Sequence, residues 1–258
     1  MPELPDLEVF SRNLTKHLKG KRIAKVVCNS KKLNVSPARL NKDLQDNTVK
    51  NFTREGKELY LNTREGNILA LHLMLHGQLA LSDNDEKPRH VILQLVFSDG
   101  SSLSLTDYQG AAKPTLNPDE KEAPDALDKK ANAAYFSKEF TGKRTSVKNM
   151  LMDQSFIRGI GNAYADEILW KSGISPFSIA GKIPPDKIKA LVKAIKSVVK
   201  QAEKQILKAD PDIISGEIRD FLSVHNAKKS NTPTGTPIKK KATGGRKTYY
   251  TDEQKLYA

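Results

Sequence analysis

The sequence predicts an α+β protein, with an antiparallel β-sandwich and one flanking helix in the N-terminal half and a helical domain with a basic tail in the C-terminal half. Three observations predict it. Short β-rich runs separated by turn signals fill residues 22–114. Apolar residues switch to helical spacing in the second half. A glycine pair separates two helical stretches within residues 146–176. At 258 residues, 38% hydrophobic and 28% charged, the chain exceeds one average domain and can bury sizeable cores. No run approaches the roughly 20 apolar residues that span a bilayer, so a soluble protein with no membrane partner is expected.

The opening MPELPDLEVF carries acids and prolines where a secretory signal needs a basic start and an apolar stretch, so export is not expected. One helix is predicted near residues 6–19. The runs RIAKVVC, KELYLNT, NILALHLML, HVILQLVF and SLSLTD follow, punctuated by Glu65-Gly66-Asn67 and Asp99-Gly100. They read as an antiparallel sandwich or barrel, and we take the sandwich. A polar, proline-containing stretch, Asn117 to Asp128, reads as a linker. Between Pro185 and Lys208, Ile188, Leu191, Val192, Ile195, Val198, Val199, Ala202 and Ile206 recur at helical spacing, with lysines on the other face. The tail after Leu222 is rich in Lys, Thr, Gly and Pro. It reads either as disorder or as a small basic hairpin, because TPTGTPIKKKATGGRKTYY holds two β-capable runs around a glycine-containing turn. The expected segments are 1–116, 117–128, 129–222 and 223–258.

The net charge is +13 and the sequence pI about 9.6. Such a field draws polyanions and makes their binding fall with salt, which puts nucleic acid first among partners and a merely solvated basic surface second. Cys28, the one cysteine, excludes an internal disulfide and a cysteine-rich zinc site. It sits in an apolar strand-like run and reads as a buried small hydrophobe in a reducing cytoplasm.

The segment SVKNMLMDQSFIRGIGNAYADEILWKSGISP, residues 146–176, reads as a helix, a tight turn at Gly159 and Gly161, and a second helix from Asn162 that ends near Gly173. Such glycines let backbone amides and a positive helix end approach a phosphate closely, although an ordinary helical hairpin has the same outline. The whole string closely resembles the helix-two-turns-helix motif of the formamidopyrimidine-DNA glycosylase/endonuclease VIII family. Independently, MPELPDLE is similar to that family's N-terminal signature, in which methionine is removed and proline becomes terminal.

The resemblance implies a bifunctional DNA glycosylase/AP lyase of base excision repair, monomeric and free of cofactor, acting on damaged double-stranded DNA or on single-stranded or abasic DNA. It implies Pro2 as nucleophile. An α-amine has a reference pKa of about 7.7–8.0, low enough to be partly unprotonated at neutral pH. Attack on C1′ expels the base and leaves an iminium, which acidifies the C2′ proton and allows strand cleavage by elimination. Glu3 is implied to shuttle protons. Lys57, in REGKELYL, falls where the family has a phosphate-contacting lysine that assists catalysis. Asn162 and Arg246 match two further phosphate grips, around a nucleotide turned out of the helix. Lys148, Gly161 and Tyr164 are taken as further DNA contacts. A cytoplasmic, nucleoid-associated site of action follows if the source is bacterial.

Four departures qualify the resemblance. Most bacterial members hold zinc in the C-terminal finger through four cysteines, but the matching positions here are Asn231, Thr234, Thr251 and Gln254, not a tetrahedral donor set. A zincless β-hairpin presenting Arg246 is therefore expected, stabilised by packing of Ile238, Tyr249 and Tyr250. The void left by the everted nucleotide is filled in the family from HLGMSG-like and DPRRFG-like loops. Here HLMLHG places Leu75 at the methionine, with Met74 beside it, and DYQGAA places Gln109 and Ala111 at the arginine and phenylalanine. An apolar wedge is expected to remain and the aromatic one to be gone. The stretch from Leu207 to Val224 is shorter than the region that caps oxidised purine, which argues against 8-oxoguanine as main substrate. Asp6 replaces the signature's glutamate. The altered loops leave a second reading, a non-catalytic binder of distorted or abasic DNA. A third, an RNA-associated basic protein, explains the charge but not the N-terminus.

Overall fold

Leu7, Phe10, Leu14 and Leu18 give the first helix, α1 (Leu4–Leu18), one apolar stripe, and all four are buried. Asp6 in its first turn and Lys16 and His17 in its last complement the helix dipole. The computed structural model describes residues 1–83, 88–243 and 245–258. Its Cα positions fall into two units. One comprises Met1–Pro2, Asp6–Glu120 and Ile206–Glu217; the other comprises Glu3–Pro5, Lys121–Gln205 and Ile218–Ala258.

The first unit contains β1 (Ile23–Cys28), α2 (Pro37–Leu44), β2 (Val49–Glu55), β3 (Glu58–Thr63), β4 (Ile68–His72), β5 (Gln78–Asp83), β6 (Val91–Phe97), β7 (Ser101–Thr106) and β8 (Lys113–Leu116). These strands form two four-stranded antiparallel sheets, ordered β1-β6-β7-β5 and β2-β3-β4-β8. Leu93, Leu95, Leu103 and Leu105 of one sheet and Phe52, Leu59, Leu61, Leu69 and Leu71 of the other share a single core with Phe10 and Leu14 of α1. A shared core between two sheets is a sandwich, as expected. Pro114 lies on β8, the edge strand, where its missing N–H costs no ladder bond. The predicted turns are present at Gly66 (φ 95°) and Gly100 (φ 86°). Cys28 is buried, and burial pushes its thiol pKa up. Helix α2 was not expected; Ser36 caps it by accepting from the Arg39 N–H at 3.2 Å. Residues 211–215 are fastened to this unit: Asn13 donates to the Pro211 and Ile213 carbonyls, and the Leu79 N–H donates to Ser215 Oγ.

The second unit contains α3 (Ala133–Phe140), α4 (Val147–Met152), α5 (Asn162–Ser172), most of α6 (Pro185–Ala209), β9 (Lys239–Thr243) and β10 (Arg246–Tyr250). Rings of Phe136, Phe140 and Phe156 meet at 5.1–5.7 Å within its core. Helix α5 ends where expected, at Gly173 in the left-handed conformation (φ 68°). In α6, Ile188, Leu191, Ile195, Val199, Ala202 and Ile206 are buried, the stripe the sequence predicts. The tail is a hairpin: β9 pairs antiparallel with β10, from Arg246 opposite Thr243 to Tyr250 opposite Lys239. Tyr249 is buried, Tyr250 packs edge-on against Phe177 at 4.9 Å, and Ile238 is half-buried.

The four positions where relatives carry cysteines do not fit zinc, since none offers a thiolate or imidazole and each is engaged otherwise. Thr234 and Thr251 donate to Glu253 at 3.0 and 3.3 Å, joined by Thr236 at 2.7 Å and Trp170 Nε1 at 3.2 Å. Gln254 donates to the Ile174 carbonyl at 2.9 Å and accepts from the Thr251 N–H, while Asn231 bridges to Pro237. An exposed carboxylate thus gathers the donors that face one another in the finger. The hydrogen bonds, that from Thr236 foremost, hold the Glu253 carboxyl below its ordinary 4.5. A depressed carboxyl stabilises the fold above its unfolded pKa, and that contribution is lost as pH falls through the folded value. Glu253→Gln is therefore expected to lower Tm at pH 7, with the gap to wild type closing between pH 4.5 and lower pH; an equal gap at pH 3 would contradict the assignment.

Candidate active site and DNA-contacting residues

Helix α5 begins at Gly161 with no side-chain cap of its own, leaving N–H groups at its positive end in need of an acceptor. Glu3 supplies it. Its carboxylate, with the residue only 5% exposed, accepts from Gly161 N–H at 2.8 Å, Ala163 N–H at 3.0 Å and Tyr164 N–H at 3.2 Å. The two turn glycines admit this segment. A Cβ on Gly161 would sit 2.4 Å from the Glu3 carboxyl carbon, and one on Gly159 (φ 105°) 2.7 Å from Leu4 Cδ1. Leu4 N–H also donates to the Gly159 carbonyl at 3.1 Å. The sequence reading offered these amides to phosphate; in the structure Gly161 and Tyr164 give theirs to Glu3. The Tyr164 ring is buried, with the Arg219 guanidinium 5.1 Å from its centre. Both residues thus position Glu3 rather than present a surface.

Three successive residues of β10 are tied to α4 and α5. Asn162 Nδ2 donates to the Lys247 carbonyl at 3.1 Å, Lys148 Nζ to Thr248 Oγ1 at 2.8 Å, and Tyr249 N–H to Asp166 Oδ2 at 2.9 Å. Exposed Arg246 begins the same strand, next to Gly245 (φ 74°). Arg246, Lys148 and Thr248 line a cavity of about 360 Å³ together with Asn149 and Phe177. The structure therefore brings together Asn162, Arg246 and Lys148. Lys148, expected as a DNA contact, is buried: its ammonium pairs with Asp166 at 2.7 Å. Burial pushes its pKa down, against the pull of Asp166. The pair is close without being an aligned hydrogen bond, so charge rather than geometry satisfies Asp166 Oδ1.

Sequence reasoning missed this anchor. Asp166 is 0% exposed and also holds His225 Nδ1 at 2.7 Å. Next to it, Glu167 accepts from the N–H groups of Ser223, Val224 and His225 at 2.7–2.8 Å. Burial nevertheless raises its pKa. The available signal was two adjacent acids inside the apolar helix AYADEILW, because buried acids demand partners.

In the first unit, Pro2 is buried and lines a cavity of about 450 Å³ with Leu75, His76, Gln78, Tyr108 and Glu217. The Met1 ammonium, which processing would remove, pairs with Glu217. Asp6 is buried. Lys57 is half-buried in the two-residue β2–β3 turn, after Gly56 (φ 57°). Arg54, itself paired with Glu8 at 2.8 Å, donates to the Gly56 carbonyl and pins that turn. Of the residues expected to fill the void, Leu75 is exposed, Met74 is half-buried with φ 54°, and Gln109 is exposed and donates to the Tyr108 hydroxyl at 3.3 Å. The expectation that no aromatic stands in these loops needs correction: the Tyr108 ring is exposed and lies 4.8 Å from that of His76.

Two family models match the chain, the formamidopyrimidine-DNA glycosylase N-terminal domain over residues 1–113 and the formamidopyrimidine-DNA glycosylase H2TH domain over residues 123–209. Formamidopyrimidine-DNA glycosylases of Lactobacillus gasseri and Pelotomaculum thermopropionicum are each 31% identical to it, over 97% of this chain and 97% of their own. Among solved structures, a complex of the Lactococcus lactis protein with DNA containing an abasic site superposes with TM-score 0.86 at 22% identity, covering 97% of this chain and 98% of the other. A complex of the same protein with DNA containing an oxidised pyrimidine gives TM-score 0.85 at 23% identity, over 97% and 98%. The sandwich, the helix-two-turns-helix and the sequence matches agree, and the chain belongs to the formamidopyrimidine-DNA glycosylase family.

Proposed function

We propose that this protein is a bifunctional DNA glycosylase/AP lyase of base excision repair that works on damaged duplex DNA in the cytoplasm through Pro2. The observation that carries the reading is the grip on Glu3: three backbone amides hold the carboxylate of the residue that follows the nucleophile. A side chain meant only to terminate a frayed chain has no use for such a clasp. Pro2, for its part, lines a cavity large enough for a nucleobase.

With methionine removed, the Pro2 nitrogen lone pair adds to C1′ of the damaged nucleotide and the glycosidic pair leaves with the base, which takes up a proton. The nitrogen loses its own proton, and ring opening gives an iminium at C1′. Loss of the C2′ proton to a base then expels the 3′ phosphate. Glu3 handles protons at the sugar. Lys57, Asn162 and Arg246 grip backbone phosphates, through the cationic charge of Lys57 and Arg246 and the amide of Asn162. The relatives and solved complexes whose names concern formamidopyrimidine or abasic DNA support this substrate class.

The test is borohydride reduction of a mixture of methionine-processed protein and duplex DNA carrying an abasic site. A covalent adduct whose cross-linked peptide begins at Pro2 is expected. Tight binding without any adduct would instead favour a non-catalytic binder of abasic DNA, the reading that the altered HLMLHG and DYQGAA loops favour.

A further inference from the structure

The two most exposed large apolar side chains among the described residues are Tyr108, at 62%, and Leu75, at 61%. Single exposed apolar residues are ordinary on a protein surface, but these two line the same cavity as Pro2, and each stands on a loop held rigid from within. The Leu75 loop is closed by the Gly77 N–H donating to the Leu73 carbonyl at 2.8 Å, so tightly that a Cβ on Gly77 would lie 2.2 Å from that oxygen. The Met74 N–H donates to His72 Nδ1 at 3.0 Å, in a left-handed backbone that methionine seldom adopts. The Tyr108 loop is wound round Asp107, whose buried carboxylate accepts from Gln109, Ala111 and Ala112 N–H groups at 2.7–2.9 Å. Burial alone would raise the Asp107 pKa, but the amide bonds prevail and hold it down. His76, half-buried, braces the Tyr108 ring with its own at 4.8 Å and a 46° tilt. Arg89 and His90 line the same cavity and add groups suited to a DNA backbone.

We propose that Tyr108, braced by His76, is the aromatic platform on which the base left unpaired opposite the damaged nucleotide stacks, while Leu75 enters the vacated place in the duplex. The inference rests on the function proposed above, for if Pro2 attacks C1′, the damaged nucleotide occupies the cavity that Pro2 lines. The apolar groups beside that cavity are then left to the duplex it came from. Of the chemistries available there, only a nucleobase offers a flat apolar face to a tyrosine ring, and such stacking tolerates any base. A rigid loop matters because stacking on a mobile side chain loses its gain to ordering entropy. Tyr108 thereby supplies the aromatic contact that Ala111 cannot. His76 acts through Tyr108 and is a positioning residue.

The experiment uses duplex DNA with a tetrahydrofuran abasic analogue and 2-aminopurine opposite it, bound by the full-length, methionine-processed protein. Wild type and Tyr108→Phe are expected to quench 2-aminopurine on binding. Tyr108→Ala should leave it several-fold brighter and bind roughly tenfold more weakly, as loss of one base–aromatic stack requires; His76→Ala should fall between. Unaltered quenching and affinity in Tyr108→Ala, with circular dichroism confirming its fold, overturn the proposal. So does equal loss in Tyr108→Phe and Tyr108→Ala. Borohydride trapping by the wild type on single-stranded abasic DNA, which has no opposite base, reports the Pro2 chemistry separately. Failure there would sink the catalytic reading while the fluorescence still decides the platform.

Discussion

Glu3→Gln is expected to slow base excision and strand cleavage by roughly 10²- to 10⁴-fold, the range that a positioned proton-transfer group contributes. The substitution keeps the side chain's volume and one acceptor oxygen, but it places an amide nitrogen against N–H donors. The wild-type carboxylate accepts from Gly161 and Tyr164 through Oε2 and from Ala163 through Oε1, so at least one of these donors loses its acceptor. A loss of about 1–3 kcal/mol in stability is expected from that mismatch. Chemistry and stability must therefore be separated. Single-turnover rates measured well below the melting temperature, with binding of an uncleavable abasic duplex measured in parallel, should show the rate collapsing while affinity changes little. Wild-type rates in Glu3→Gln would falsify the assigned role.

Glu3 also shows which part of the site was legible. Its position beside Pro2 was readable because the opening eight residues resemble a family signature, and the glycine turn was readable because tight turns demand glycine. What the glycines are for was not readable. A turn that can receive a phosphate and a turn that can receive a carboxylate from 158 residues away have the same local sequence. The same limit applies to Tyr164, whose residue type suits a DNA contact as well as a core. Only the fold shows the ring buried against Leu151 and Ile168 in one core.

The architecture followed a simpler rule. Helices α1, α5 and α6 were legible because their apolar periodicity runs for three turns or more with clear ends. The sandwich was legible because its turns announce themselves at Gly66 and Gly100. Helix α2 is only eight residues long with two buried leucines, too few for a period, although Ser36 followed by Pro37 is a start signal that could have been used. The finger needed both kinds of information. Composition left it between disorder and hairpin, resemblance favoured the hairpin, and neither named Glu253, whose partners Trp170, Thr234, Thr236 and Thr251 converge only in three dimensions. Tyr108 was passed over for a different reason: comparing DYQGAA position by position with a known loop directs attention to the positions of the lost arginine and phenylalanine, and away from the neighbour that the Asp107 clasp turns outward.

Asp166→Asn should have the largest effect on the second unit. Its carboxylate, fully buried, lies 2.7 Å from the Lys148 ammonium, 2.7 Å from His225 Nδ1 and 2.9 Å from the Tyr249 amide nitrogen. Neutralising it leaves the buried ammonium of Lys148 without its counter-charge, and breaking one side of a buried pair costs about 3–5 kcal/mol. The damage should also reach DNA binding, because the same carboxylate anchors β10, the strand that begins with Arg246. Pairing the change with Lys148→Met separates the two effects. Removing the ammonium relieves the uncompensated charge, so the double variant should recover part of the stability, read from the urea midpoint. It restores neither the Thr248 contact nor the charge on the His225 and Tyr249 partner, so affinity for an abasic-analogue duplex should stay depressed. If instead affinity returned along with stability, the anchoring of Arg246 through Asp166 would be wrong and the pair would serve the fold alone. If Asp166→Asn by itself moved the midpoint by less than the equivalent of about 0.5 kcal/mol, the span of an ordinary surface change, the buried pair would not be holding this unit together.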